Sequence, residues 1–312
     1  MRRRLVALGC VWIGMHAAAA PAQTSKDIQG VAQLVREHYF DPARGREIAD
    51  VLIERAAADD LDQLKDRKLL AEKLTAILRP HDGHFRVIYE PERTGNDGAG
   101  PPRMRPPGDP NDKTHGFRRV ERLPGDVLLI ELTRVEHIEF ANADDPARRA
   151  ADAALAQVPG AKAVILDLRG NGGGAPSMVG YLISAFVKPG ANVYNSFHTR
   201  QETLSERPDI EYPRPNVDVP LFVLINKRTA SAAESLAFSL QSCGRAKVIG
   251  ERSAGGANPG RVFRTPQGYS VFVSTGSPRN PINGKNWERT GVLPDVEVKA
   301  EESLETAVRL GK

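Results

Sequence analysis

Ala163-Val164-Ile165-Leu166-Asp167-Leu168-Arg169-Gly170-Asn171-Gly172-Gly173-Gly174 is an unbroken apolar run that ends in Asp-Leu-Arg and then places four glycines in five residues. Strands buried on both faces of a parallel sheet read as continuous apolar runs, because helices cover each side. A helical pattern follows at Ser177 to Phe186, so the stretch predicts a strand, a glycine turn and a helix. Bare backbone in that place can receive a phosphate, receive an oxyanion, or merely turn tightly.

Working outward, the same strand-to-helix pattern recurs. Strands are expected at Asp126 to Leu132, Ala163 to Leu168, Leu221 to Ile225 and Lys247 to Ile249, with helices at Ala147 to Gln157, Ser177 to Phe186 and Ala232 to Ser242. This alternation implies right-handed crossovers and a largely parallel sheet, an α/β fold. Strands at Tyr269 to Ser274 and Val296 to Val298 precede a last helix at Ser303 to Leu310. Upstream, apolar residues recur at helical spacing from Val31 to Leu78, which predicts a small helical subdomain over residues 27–80. Pro80-His81-Asp82-Gly83 breaks that pattern, and Phe85 to Tyr89 alternates like a strand. Residues 94–116, rich in Gly, Pro and Asp, read as a surface loop or linker, and residues 117–312 as the main α/β domain, to which 81–93 contributes the His84 segment.

The chain has 312 residues, 40% hydrophobic and 26% charged, with a formal charge of +4. Basic residues are interspersed with acidic ones, without a basic stripe or interleaved aromatics, which argues against a nucleic-acid partner. Residues 1–22 read as a secretory signal: Arg2-Arg3-Arg4, an apolar stretch from Leu5 to Met15, then Ala17 to Ala22 with small residues at the cleavage point. A periplasmic or secreted protein is expected, with no membrane span after removal of the signal. Cys10 leaves with the signal, so Cys243 remains without an intrachain partner. The sequence carries no signal for oligomeric state.

Four segments can carry chemistry. Gly170-Asn171-Gly172-Gly173-Gly174-Ala175 satisfies the loose G-x-G-x-x-A pattern of dinucleotide sites, but no acidic residue ends the next strand, and free N–H groups serve equally to hold an acyl oxyanion. Thr229-Ala230-Ser231-Ala232-Ala233-Glu234 puts a hydroxyl at a helix N-terminus, where it can be a nucleophile, and Ser231-x-x-Glu234 is equally a capping box. His81-Asp82-Gly83-His84 invites a metal reading but has no third ligand at helical spacing, so no metal is expected. Asn286 to Asp295 contains Glu288 and a Pro-Asp turn.

Together, Asp82-Gly83-His84, Asp167 to Gly174, Thr229 to Glu234, Gly250 to Gly256 and Gly291-Val292-Leu293-Pro294-Asp295 resemble the tail-specific (C-terminal processing) serine peptidases. The branch is that related to the interphotoreceptor retinoid-binding protein and the tricorn protease core. The resemblance implies a crotonase/ClpP-like spiral of ββα units, a Ser231 nucleophile, a His84 base assisted by Glu288, and an oxyanion hole from the N–H groups of Gly172, Gly173 and Ala232. It implies no cofactor and a peptide or unfolded-protein substrate. The chain departs from the family in three ways: residues 94–117 are too short for a PDZ domain, Ser253-Ala254-Gly255-Gly256 stands where processing peptidases carry a lysine base, and Gly83 stands where tricorn-type sites carry a serine. A non-catalytic binder of small apolar ligands or peptides is the alternative on the same fold. An acyl-CoA enzyme is a third reading, disfavoured by export.

Overall fold

The computed structural model describes residues 23–91 and 112–312. In chain order the helices are α1 (Gln23–His38), α2 (Pro42–Ala58), α3 (Arg67–Leu78), α4 (Pro146–Leu155), α5 (Pro176–Ser184), α6 (Ala232–Ser242) and α7 (Ser303–Leu310). The strands are β1 (Arg86–Tyr89), β2 (Phe117–Leu123), β3 (Val127–Leu132), β4 (Ala163–Asp167), β5 (Ser196–Thr199), β6 (Thr203–Ser205), β7 (Leu221–Ile225), β8 (Lys247–Gly250), β9 (Gly260–Arg264), β10 (Tyr269–Ser274), β11 (Gly276–Arg279) and β12 (Val296–Glu297). Several helix starts are written locally. Asp41 and Asp66 accept the first N–H groups of α2 and α3, and proline occupies the first turn of α2, α4 and α5.

The main sheet runs β12-β8-β7-β4-β3-β2, with every neighbouring pair parallel except β2 and β3. All five residues of β4 and of β7 are buried, as their apolar runs require. Alternation then divides the faces. Leu128, Ile130, Leu132, Val164, Leu166, Val223 and Ile225 pack under α4, α5 and α6, whereas Val127, Leu129, Ile165, Phe222 and Leu224 pack toward α7.

The amino-terminal helices have a core of their own. It includes Val31, Val35, Leu52, Leu70, Leu74 and Leu78 together with Val87 of β1 and Tyr269, Val271 and Val273 of β10. The helices therefore do not stand alone: β1 pairs with β10, and β10 with β9, in a small antiparallel sheet that the chain completes only after β2, β3, β4, β7 and β8 of the main sheet. A third sheet, β11-β5-β6, is antiparallel. Residues 1–22, expected to be a signal, and most of the 94–116 loop lie outside the described residues.

This arrangement fixes where a site can be. The turns after β4, β7 and β8 leave the same carboxyl edge of three adjacent parallel strands, the edge at which α/β sheets present ligands to loop backbone. His84, by contrast, sits in the turn between α3 and β1, next to the second core.

Candidate active site

The turns after β4 and β7 are stitched to each other. Asn226 Oδ1 accepts Gly170 N–H at 3.0 Å, Thr229 Oγ1 donates to Leu168 O at 2.8 Å, and Ala230 N–H donates to Asn171 O at 2.9 Å. At the start of the same turn, Asp167 takes a two-pronged ion pair from Arg169, whose guanidinium also reaches Ala300 O at 2.6 Å. Asp167 and Arg169 thus tie the start of the glycine turn to the segment before α7.

Ser231 emerges from that scaffold at φ 55° and ψ −124°. An ordinary N-cap residue is extended, and a positive φ costs a side-chain-bearing residue of order 1–3 kcal/mol, a strain found most often at functional sites. Glu234, buried in the first turn of α6, holds the strained residue by accepting its N–H at 2.8 Å. The Glu234 half of a capping relation is thus present, whereas the Ser231 hydroxyl makes no cap hydrogen bond of its own, and the serine backbone is one that capping does not require.

The glycine run packs directly against this serine. A Cβ on Gly173 would lie 2.8 Å from Ser231 Cβ and 2.9 Å from Ala232 N, and one on Gly174 would lie 1.6 Å from Val135 O. Both have positive φ, so only glycine fits the conformation and the space together. Of the three expected oxyanion donors, Gly173 is already engaged, its N–H bonded to Asn171 Oδ1 at 2.9 Å. Gly172 and Ala232 N–H have no hydrogen-bond partner among the described residues.

His84 comes from a different part of the chain, the turn between α3 and β1. Its Nδ1 lies 3.1 Å from Asp82 Oδ1 and 3.4 Å from Glu288 Oε1. Burial alone would lower the imidazole pKa, but the hydrogen bonds and charges of Asp82 and Glu288 outweigh it and push it up to about 10. Burial would likewise raise Asp82; bonding to the ring and N–H of His84 instead holds its carboxyl at about 2. The Glu288 loop is tied to the base turn through Arg289 Nη1, which donates to Pro80 O at 2.9 Å. One side-chain polar atom each of Asp82, His84 and Glu288 lies within 4.8 Å of the others, so Glu288, and not His81, is the third polar group beside the Asp82–His84 pair. His81 turns instead to Arg44, at 3.2 Å.

Gly256 joins the two halves. The position of its absent Cβ is 3.4 Å from His84 Nε2 and 3.7 Å from Glu234 Oε2, the oxygen that holds Ser231 N–H. Glu234 also accepts from Ser253 Oγ at 2.5 Å, Gly255 N–H at 2.6 Å and Gly256 N–H at 2.9 Å. One carboxylate therefore fastens the serine turn to the loop that passes the histidine.

The family model described as Peptidase family S41 matches residues 126–298, more than half of the chain. The chain belongs to peptidase family S41. A curated S41 relative, the carboxyl-terminal-processing protease of Picosynechococcus sp., is 32% identical over 149 residues, covering 46% of this chain and 34% of the relative. The matched part is thus about a third of that protein's length. Among solved structures, a photosystem II D1 C-terminal processing protease superposes with TM-score 0.57 at 18% identity, covering 93% of this chain and 98% of that one. The tricorn protease superposes with TM-score 0.53 at 14% identity, covering 90% of this chain and 35% of that one. These likenesses show the fold: mixed α/β with a parallel-rich sheet, and no PDZ domain among the described residues.

Within this S41 chain the loop at Ser253 to Gly256 supplies hydrogen bonds to Glu234 and no amine, and Lys227 pairs outward with Glu251 at 3.4 Å. Sequence reasoning gave Asp82 no role beside the base, although it is the carboxylate nearest to Nδ1. Its position two residues before His84 was the available signal. Asn258, which reaches Asp82 Oδ2 through Nδ2 at 3.3 Å, and Tyr39 carried no such signal.

Proposed function

We propose that the chain is a serine endopeptidase that hydrolyses peptides or unfolded chains, working in the periplasm or outside the cell after loss of residues 1–22. Among its described residues no helix is long and apolar enough to cross a membrane. The observation that carries the reading is Ser231 itself, a strained serine at a helix N-terminus, pressed against a side-chain-free glycine turn and joined through Glu234 to the Gly256 loop that passes His84.

In the proposed reaction Ser231 Oγ attacks the scissile carbonyl carbon while its proton passes to His84 Nε2. The carbonyl oxygen becomes an oxyanion received by Gly172 and Ala232 N–H. Collapse of this intermediate expels the amine, which takes the proton from His84; water then repeats the sequence and frees Ser231. A carboxylate on the Nδ1 side assists the base, where Asp82 and Glu288 both stand. No cofactor enters.

Ser231→Ala separates this role from helix capping. A nucleophile's loss should abolish peptide cleavage while leaving the circular dichroism spectrum unchanged. Loss of a cap alone should lower stability by about 0.5–2 kcal/mol and leave cleavage intact, and that second result would refute the proposal. A folded wild-type chain that cleaves no peptide and instead retains apolar ligands would favour the binder.

A further inference from the structure

Two carboxylates face Nδ1 of His84, and they are held very differently. Asp82 is 2% exposed at its side chain against 16% for Glu288. Asp82 Oδ1 accepts His84 N–H at 2.9 Å while facing Nδ1 at 3.1 Å, so one oxygen fixes the residue's backbone and its ring together. Asp82 Oδ2 accepts Tyr39 O–H and Asn258 Nδ2–H, each at 3.3 Å. Glu288, in contrast, directs its Oε2 to the N–H groups of Ala257 and Asn258 at 2.9 and 3.0 Å, and its Oε1 is 3.4 Å from Nδ1. Its geometry is that of a clamp on the 257–258 backbone. Gly83 has nothing within 4 Å of its missing Cβ, so no side chain there contributes to holding the ring.

We infer that Asp82, anchored by Tyr39 and Asn258, is the positioning carboxylate that sets the tautomer and orientation of His84, while Glu288 chiefly holds the 257–258 segment. The inference rests on the serine-peptidase reading of this site. A carboxylate bound to Nδ1–H leaves Nε2 bare for the Ser231 proton. An asparagine at the same place can offer its amide N–H to Nδ1 and so put the imidazole proton on the wrong nitrogen. The titratable groups facing the ring are Asp82 and, behind it, Tyr39, just past the end of α1; Glu288; and, across Gly256 on the Nε2 side, Glu234. Arg44 of α2 is held at His81.

The test is the rate of labelling by a small fluorophosphonate, measured from about pH 6 to about pH 11.5 on the wild-type chain, Asp82→Asn and Glu288→Gln, with melting temperatures taken alongside. Asp82→Asn is expected to lower the plateau rate by about 10²–10⁴-fold and to move the acid limb to lower pH, with Glu288→Gln retaining the plateau within about tenfold. A carboxylate with only a structural role would lower the melting temperature and leave the limb in place, which would overturn the inference. So would a collapse in Glu288→Gln with Asp82→Asn unaffected. If Asp82→Asn does not fold, Tyr39→Phe asks the same question: a loss of about three- to tenfold in plateau rate supports the inference, and a wild-type rate overturns it. Absence of label on the folded wild-type chain at every pH would remove the peptidase reading itself, whereas wild-type labelling beside an unaffected Asp82→Asn removes only the role of Asp82.

Discussion

Gly173→Ala probes the contact on which the nucleophile turn depends. The new Cβ would lie 2.8 Å from Ala230 O, 2.8 Å from Ser231 Cβ and 2.9 Å from Ala232 N, with φ at +100°. Two of these neighbours are backbone atoms and the third is the Cβ of the proposed nucleophile, so none can swing aside as a flexible side-chain end would. Relief requires a shift of roughly half an ångström to one ångström in the turn, and misplacement of reacting groups by about 1 Å costs of order 10²-fold in rate. The backbone conformation adds about 1–3 kcal/mol of strain. Expected, then, are a loss of about 2–4 kcal/mol in urea unfolding and a fall of about 10²-fold in kcat/KM for a peptide substrate, carried mainly by kcat. Gly83→Ala is the control, since its Cβ meets nothing within 4 Å and its φ is not positive. A Gly173→Ala chain with unchanged unfolding and activity would refute the claim that this glycine shapes the site.

Peptide cleavage should rise with pH through an alkaline limb, because His84 must be neutral to act as a base and Asp82 and Glu288 push its pKa up to about 10. This places the limb well above the near-neutral value expected of an ordinary Ser-His pair, and a limb at or below neutrality would contradict the geometry. Full activity in His84→Ala, or dependence on Lys227 or Lys247, would overturn the assignment of the base. The same raised pKa makes the His84 contribution to stability complete below about 6.5 and lost as pH rises through about 10, measurable as a decline in melting temperature that His84→Ala abolishes. Glu206, fully buried and hydrogen-bonded to Ser235 and Asn195, is pushed by burial up to about 7; the folded chain therefore binds an extra proton between the unfolded value and 7, and stability falls as pH rises across that window by up to roughly 3 kcal/mol. Glu206→Gln should flatten that slope, and an unchanged slope in urea titrations would exclude Glu206 as its source.

The α/β alternation was legible because β4 and β7 are uninterrupted apolar runs and α6 starts one residue after a serine, signals that the buried sheet enforces. Strands β2, β5, β6, β9 and β11 were not. Phe117 to Leu123 is interrupted by Arg118, Arg119, Glu121 and Arg122 and carries a register shift, as suits an exposed edge, and β5 and β6 are short and rich in Ser and Thr. Nor could local pattern reveal that β1 pairs with β10, since that pairing joins segments some 180 residues apart. At the site, Ser231, His84, Glu288 and Ala232 were nameable because each stands in a motif. Asp82 suggested at most a metal ligand, and no partner for the base, because two carboxylates could serve Nδ1 and only distance and burial separate them. Gly173 was expected as an oxyanion donor; a side chain two residues earlier, Asn171, takes its N–H, a contact that no spacing rule announces.

The most direct test of the central claim is the site of covalent capture. The folded chain is treated with a fluorophosphonate, digested, and mapped by mass spectrometry, with Ser231→Ala treated in parallel. A single adduct on Ser231, absent from the mutant, is the predicted result. An adduct on another serine, or none on Ser231 at a pH where the imidazole of His84 is neutral, would contradict it.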